Sequence, residues 1–281
     1  MTVRQRLSRR AALLMCSLTF WSCVSESPFA RLQRLEPFVV VAHRGDSSAY
    51  PENTEAAFRA AVRSGAPMVE FDVYQSKDGA WVCMHDLTLD RTTDASDRLG
   101  RRRVRVDELT LAQLRELDAG SWFGDAFRGA RIATLEEALA AIAPAIPMIE
   151  RKGGDARALV EELRRLDVVD DVLVQSFDWE WLEQVHAAEP RLLIGALGGD
   201  DPTPARLAGV ARTGAQVVHW GHNRLTEAAA RWVLKSGRLL CVYTVDDEDE
   251  FRRCLGLGCR MVTTNRPAHF VKVADAQAGQ R

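Results

Sequence analysis

Short apolar runs rich in β-branched residues alternate with amphipathic stretches along most of the chain. The runs have the length of buried strands, and the stretches between them carry apolar residues at helical spacing. Eight such runs occur, at residues 38–42, 68–73, 147–150, 171–177, 191–196, 216–220, 238–245 and 260–264. Strand followed by helix, repeated about eight times, predicts a closed parallel (β/α)₈ TIM barrel.

Helix starts fall between these runs. The letters NTE at 53–55, TLEE at 134–137 and TP at 203–204 place capping residues before helical stretches. Asn53 is read either as a helix cap or as a substrate contact.

One stretch, residues 81–131, is too long for a βα loop, which usually has about 2–6 residues. Residues 81–85 continue as a strand, so we expect an insertion at about 87–131. Trp122, Phe123 and Phe127 predict an aromatic lid over the C-terminal face of the barrel.

Composition and charge narrow the class of protein. Of 281 residues, 47% are hydrophobic and 27% charged, which is typical of a globular domain. The net charge of −2 gives no electrostatic footprint for nucleic acid, so none is expected as a partner. The arginine-rich run at 98–105 is read as a solvated loop, with contact to phospholipid headgroups as the alternative.

Residues 1–30 differ from the rest. Four arginines precede an apolar run at 11–21 that is too short to span a bilayer, which predicts an export signal. A lipoprotein leader with its lipid on Cys23 and a basic amphipathic helix are the alternatives. The mature domain, residues 31–281, is therefore expected outside the cytoplasm, in the periplasm or a similar compartment, either soluble or membrane-anchored. Its four cysteines are read as small buried hydrophobes, with a disulfide between Cys254 and Cys259 as the alternative.

Carboxylates collect at predicted strand ends. Glu70 and Asp72 lie two residues apart and so share one face of the second strand, and Glu150 ends the next main strand. Carboxylates side by side on a buried face repel unless a cation lies between them. An all-oxygen site of this kind predicts one divalent cation, Ca²⁺ or Mg²⁺.

Two histidines, His43 and His85, follow strand segments at the same end of the predicted barrel. Two imidazoles and a cation suit phosphoryl chemistry, in which one takes a proton from the nucleophile and the other donates one to the leaving oxygen. His219, Trp220 and His222 end the sixth run and are read either as pocket-lining or as packing residues.

Short polar fragments occur in order along the chain. They are AHRG (42–45), PENT (51–54), VEFDV (69–73), SKDG (76–79), HD (85–86), LDRTT (89–93), LDAGSWF (117–123), ERK (150–152), QSF (175–177), TVD (244–246) and TTNRP (263–267). In their number, order and spacing these fragments resemble the glycerophosphodiester phosphodiesterase family. The likeness covers about residues 38–275.

The resemblance implies a TIM barrel with a small insertion and a metal-dependent hydrolase that releases glycerol 3-phosphate and an alcohol from a small glycerophosphodiester. It also implies a role for each site residue. These are His43 and His85 as the acid–base pair, Glu70, Asp72 and Glu150 as metal ligands with Glu52 as a further candidate, Arg44 and Lys152 as phosphate contacts, and Tyr243 as the aromatic plate for the glycerol.

Two positions depart from the family pattern, Tyr243 in place of tryptophan and Asn265 in place of aspartate. We expect both to affect substrate preference and to leave proton transfer untouched. Two rival functions stay open. One is a phospholipase D-like or C-like phosphodiesterase acting on lysolipids, and the other is a non-catalytic envelope barrel.

Overall fold

Eight parallel strands close into a barrel in the computed structural model, which describes residues 32–34 and 38–278. The barrel strands are β1 (Val39–His43), β2 (Met68–Gln75), β4 (Ile146–Arg151), β5 (Leu173–Ser176), β6 (Leu193–Gly198), β7 (Val217–Gly221), β8 (Leu239–Tyr243) and β9 (Met261–Thr264). The barrel is closed because β1 pairs in parallel with both β2 and β9. Each overlaps one of the eight predicted runs, and the TIM-barrel prediction is confirmed.

The inner face of each strand changes character along its length. Near the N-terminal end it is apolar, with residues such as Val41, Met68 and Met148 forming a closed interior cluster. One or two inward positions further on, the side chains become polar and functional. The opposite faces of the same strands pack on the helices in the larger apolar cluster. The period of two along a strand therefore places the site on the inner face at the C-terminal end of the barrel.

Helices follow the strands in the order that the sequence predicts. Threonine side chains cap three of them, Thr134 and Thr203 at the predicted places and Thr54 one residue after the predicted cap, Asn53. The α-helices are α1 (Glu55–Arg63), α2 (Ala95–Leu99), α3 (Leu111–Leu114), α4 (Leu135–Ile142), α5 (Ala156–Arg165), α6 (Trp179–Ala188), α7 (Pro204–Gly209), α8 (Glu227–Lys235), α9 (Glu248–Gly256) and α10 (Pro267–Ala278).

The segment between β2 and α4 has a small core of its own. β3 (Trp81–Cys83) pairs antiparallel with β2, and the residues after it bury a separate apolar cluster that includes Leu89, Val104 and Leu114. Trp122, Phe123 and Phe127 pack edge-to-face on one another and on Tyr50. None of the three predicted lid residues lines the cavities formed by the ends of the strands, so the lid role stays a prediction.

Four cysteines lie in the described residues, and all are buried free thiols. The reading as small hydrophobes is confirmed, and the alternative disulfide between Cys254 and Cys259 is not formed. No helix within residues 32–34 and 38–278 is long and apolar enough to cross a membrane. The predicted leader, residues 1–30, lies outside the described residues.

Candidate active site

Three carboxylates converge on the inner face at the ends of β2 and β4. Strand register sets Asp72 beside Glu150, and Glu70 lies one inward position earlier on β2. One oxygen from each of Glu70, Asp72 and Glu150 lies within 4.8 Å of the others, and all three side chains are buried. The sequence prediction placed these three together, and the fold brings them together.

Ionising all three of these buried carboxylates together is electrostatically unfavourable unless a cation lies among them. Burial together with the charges of Asp72 and Glu150 raises the pKa of Glu70 well above its usual range. Burial and the neighbouring Asp72 likewise raise the pKa of Glu150 to about 7. Oε1 of Glu70 is buried and accepts no hydrogen bond. Such an orphaned acceptor among clustered carboxylates is what a divalent cation requires, so the residues fit an oxygen-ligated metal.

Two basic side chains lie against this cluster. Nε of Arg44 is 3.2 Å from Oδ2 of Asp72, and Nζ of Lys152 is 3.3 Å from Oδ1 of Asp72 and 2.5 Å from Oε1 of Glu150. Although burial acts to raise the pKa of Asp72, the charges of Lys152 and Arg44 lower it overall. Both cations also line the cavity above the cluster.

Glu52 lies apart from the three-carboxylate cluster. Its oxygens accept hydrogen bonds from Arg44 at 3.0 Å and from Arg91 at 2.9 and 2.7 Å. Among the described residues the group that could hold a metal comprises only Glu70, Asp72 and Glu150, so the structure does not bring Glu52 into it. A carboxylate held by two guanidinium groups instead fixes the position of Arg44.

His85 and His43 both line the cavity, and each is oriented through its Nδ1 atom. Nδ1 of His85 lies 2.6 Å from Oδ1 of Asp86, a carboxylate that Arg91 holds in turn. Hydrogen bonding to Arg91 is the main cause that lowers the pKa of Asp86 to about 2, so Asp86 is ionised at neutral pH. Because an ionised carboxylate can only accept, Nδ1 of His85 donates this hydrogen bond, which fixes the orientation of the ring.

His43 has a neutral partner instead. Its Nδ1 lies 2.7 Å from Oδ1 of Asn265, whose own Nδ2 donates to Oδ2 of Asp246 at 2.6 Å. Burial and the charge of Arg44 lower the pKa of His43 to about 4, and the bond to Asn265 only partly opposes this. The expectation that Asn265 would leave proton transfer untouched is wrong, because Asn265 directly orients His43.

Asn53 has a different role from either of its two readings. The cap of α1 is Thr54, while Asn53 has a left-handed backbone with φ of 59° and is buried. Its Nδ2 donates to Oδ2 of Asp72 at 2.9 Å, and its Oδ1 accepts from the backbone N–H of Asp72 at 3.1 Å. Asn53 therefore positions a member of the carboxylate cluster.

The cavity above the cluster has a volume of about 210 Å³. Tyr243 forms part of its wall, with its hydroxyl donating to the carbonyl of Gly198 at 3.0 Å and its ring edge-on to Phe177. His219 lies on the floor, fully buried, and burial lowers its pKa to about 3. Its Nδ1 is 2.7 Å from Oε1 of Gln175, which also faces the cavity.

The reading as a pocket-lining residue is therefore confirmed for His219. Trp220 instead packs in the apolar cluster between the strands and the helices, and His222 pairs with Glu250. Sequence reasoning missed the supporting roles of Arg91, Asp86 and Gln175. The family-like fragments that contain them were visible, yet nothing in their spacing indicated which atom each would contact.

Comparisons with known proteins place this geometry in a family. The family model described as "Glycerophosphoryl diester phosphodiesterase family" matches residues 43–269. A glycerophosphodiester phosphodiesterase of Caldanaerobacter subterraneus is 32% identical over 84% of this chain and 97% of its own length. One of Bacillus subtilis is 32% identical over 95% of this chain and 98% of its own length.

A solved structure of a phosphodiesterase is also similar to this chain. The phosphodiesterase of Oleispira antarctica, determined in complex with the product sn-glycerol-3-phosphate, is 26% identical with a TM-score of 0.76, covering 84% of this chain and 96% of that one. The sequence matches, the shared barrel fold and the three clustered carboxylates all point to the same family. The chain belongs to the glycerophosphoryl diester phosphodiesterase family.

Proposed function

We propose that this enzyme hydrolyses glycerophosphodiesters to glycerol 3-phosphate and an alcohol, with one divalent cation and two histidines. The observation that carries the proposal is the set of three buried carboxylates beneath a cavity lined by His43 and His85. Glu70, Asp72 and Glu150 would hold the cation. When bound, Ca²⁺ or Mg²⁺ would supply Lewis-acid stabilisation of the charge that develops on the phosphoryl oxygens.

In this proposal His43 is the general base. Its lowered pKa keeps the imidazole neutral near pH 7. In the neutral tautomer that donates Nδ1–H to Asn265, Nε2 carries the free lone pair and faces the site, 4.0 Å from Oε2 of Glu70. Nε2 can therefore take the proton of the attacking oxygen.

His85 is then the general acid. The ionised Asp86 accepts from Nδ1–H and orients the ring, and in this proposal Nε2–H donates to the leaving alcohol. Arg44 and Lys152 balance the negative charge of the phosphate, and the bidentate clamp of Arg91 on Glu52 keeps Arg44 in place.

Product identity tests the proposal. The enzyme is incubated with glycerophosphocholine, glycerophosphoethanolamine and lysophosphatidylcholine, each with Ca²⁺ or Mg²⁺, and the released glycerol 3-phosphate and headgroup are measured. We expect glycerol 3-phosphate from the two deacylated diesters. Turnover of lysophosphatidylcholine alone would favour the rival lysolipid activity, for which Trp122, Phe123 and Phe127 do not supply a cavity wall. No turnover of any substrate would favour the non-catalytic barrel.

Exchanging Asn265 and Asp246 should shift the pH profile. The double variant Asn265→Asp/Asp246→Asn keeps one amide paired with one carboxylate, but now presents the carboxylate to His43. An adjacent negative charge raises a histidine pKa by about 1–3 units. Because the base must be neutral, the acid limb of kcat/KM should move to higher pH while the alkaline limb stays. An unchanged acid limb in pH–rate measurements would contradict the base role of His43.

We also propose that the enzyme is exported, since residues 1–30 combine a basic start with a short apolar run. Mass spectrometry of the native N-terminus should find the leader removed, and a lipid on Cys23 if the protein is anchored. An intact Met1 in cytosolic material would contradict export, whereas an unmodified start after Ser25 or Ala30 would contradict only the anchor.

A further inference from the structure

A second cavity, of about 470 Å³, opens on the same face of the barrel. Tyr74 and Lys77 from the end of β2 and the turn after it, Arg105 and Asp107 from the insertion, and Lys152 from the loop after β4 contribute to its lining. Lys152 also lines the first cavity. Lys152 is therefore the residue that the two cavities share, and its ammonium group contacts Glu150 and Asp72.

The shape of the substrate requires two subsites. A phosphodiester carries two ester arms on opposite sides of its phosphate. The first cavity, at about 210 Å³, is smaller than the roughly 300–1,000 Å³ of ordinary small-molecule sites and suits one arm. With the phosphate beside Arg44 and Lys152, the second cavity is where the other arm can lie.

Two glycines, Gly153 and Gly154, line part of this second cavity. A Cβ at Gly153 would come within 2.6 Å of the ring of Tyr74, and one at Gly154 within 2.4 Å of the ring of Trp81. Side chains at these two positions would displace both rings. The glycines therefore let the ring of Tyr74 lie in its place in the lining, packed directly against the backbone next to Lys152.

The charges that line the cavity favour negative groups. Lys77 is exposed, and it makes no ion pair within the part of the chain that the structure describes. Arg105 is matched by Asp107, with contacts of 2.8 and 2.6 Å, and Lys152 by Asp72 and Glu150, so among the described residues of the lining Lys77 is the charge without a counter-charge. Tyr74 is the only aromatic side chain in the lining, whereas quaternary ammonium groups are bound by cages of several aromatic rings.

We propose that the second cavity binds the leaving alcohol and selects alcohols that carry negative charge over cationic ones such as choline. Lys77 is the specificity-determining residue of this subsite, acting on the alcohol and not on the reacting phosphate. The inference rests on the proposed hydrolysis of glycerophosphodiesters, and it names the class of alcohol.

Three substrates with different alcohol charge test it. These are glycerophosphocholine (cationic), glycerophosphoinositol (uncharged polyol) and glycerophosphoinositol 4-phosphate (anionic polyol), each assayed as kcat/KM with wild type, Lys77→Glu and the matched surface control Lys235→Glu. Reversing a charge near an anionic group in partly screened surroundings is expected to lower kcat/KM for the phosphorylated substrate by about tenfold. Turnover of the uncharged polyol should be nearly unchanged, that of the choline diester should rise, and Lys235→Glu should change none of them.

Salt gives an independent readout, because the preference of the wild type for the anionic substrate should shrink as ionic strength rises. Equal changes of all three substrates in Lys77→Glu, or no change, would overturn the subsite while leaving the hydrolysis intact. Loss of glycerol 3-phosphate release from every substrate by the wild type would overturn the proposed function itself, and the subsite with it.

Discussion

Chelation with EDTA is expected to lower kcat/KM by about a thousandfold or more, and added Ca²⁺ or Mg²⁺ should restore it. The reason is electrostatic, because Glu70, Asp72 and Glu150 are buried within 4.8 Å of one another and lose their counter-charge when the cation leaves. Removing a metal that stabilises the transition state costs several kcal/mol, and about 1.4 kcal/mol corresponds to a factor of ten. Titration of the chelated enzyme with each metal measures the effect.

The variant Asp72→Asn separates ligation from folding. The change is nearly isosteric, and an asparagine oxygen at this position can still accept from Nδ2 of Asn53. We expect metal affinity to fall by at least about a hundredfold while the circular dichroism spectrum stays native, because the carboxylate charge contributes most of the affinity. Asp249→Asn, on the exposed side of α9, is the matched control and should bind metal normally. Full activity in excess chelator would rule out the carboxylate site.

Removal of either proposed proton-transfer group is the second large effect. His43→Ala and His85→Ala should each lower kcat by about 10²–10⁴-fold, the usual contribution of general acid–base catalysis. The double variant should lose less than the product of the two, because residues that act as a unit are not additive. His269→Ala, a histidine on α10 that pairs with Glu248, is the control and should retain activity.

A substrate with a good leaving group assigns the two roles. The leaving oxygen of a p-nitrophenyl phosphodiester needs no proton, so it should rescue the variant that lacks the acid far more than the one that lacks the base. With His43 held neutral beside Asn265 and His85 beside the ionised Asp86, we expect rescue of His85→Ala. Rescue of His43→Ala alone would reverse the assignment, and equal rescue of both would leave neither histidine with a distinct role.

The barrel and the three clustered carboxylates could be predicted from the order of residues along the chain. Both follow from local periodicity, since apolar runs of strand length alternating with helical stretches admit few architectures. Glu70 and Asp72 must share a face because side chains alternate along a strand. The threonine caps at Thr134 and Thr203 were also visible, because a cap is a contact between residues three positions apart.

The hydrogen bonds that orient these groups come from residues distant in the chain and could not be predicted. Asn265 orients His43 across 222 positions in the chain, and Asn53 reaches Asp72 instead of capping a helix. The second cavity likewise exists only because β2, the insertion and the loop after β4 meet at Lys152. Partners of this kind depend on strand register, on side-chain conformation and on how an insertion folds back. None of these leaves a periodic signal, so the spacing of residues predicts which groups are present but not which atoms they contact.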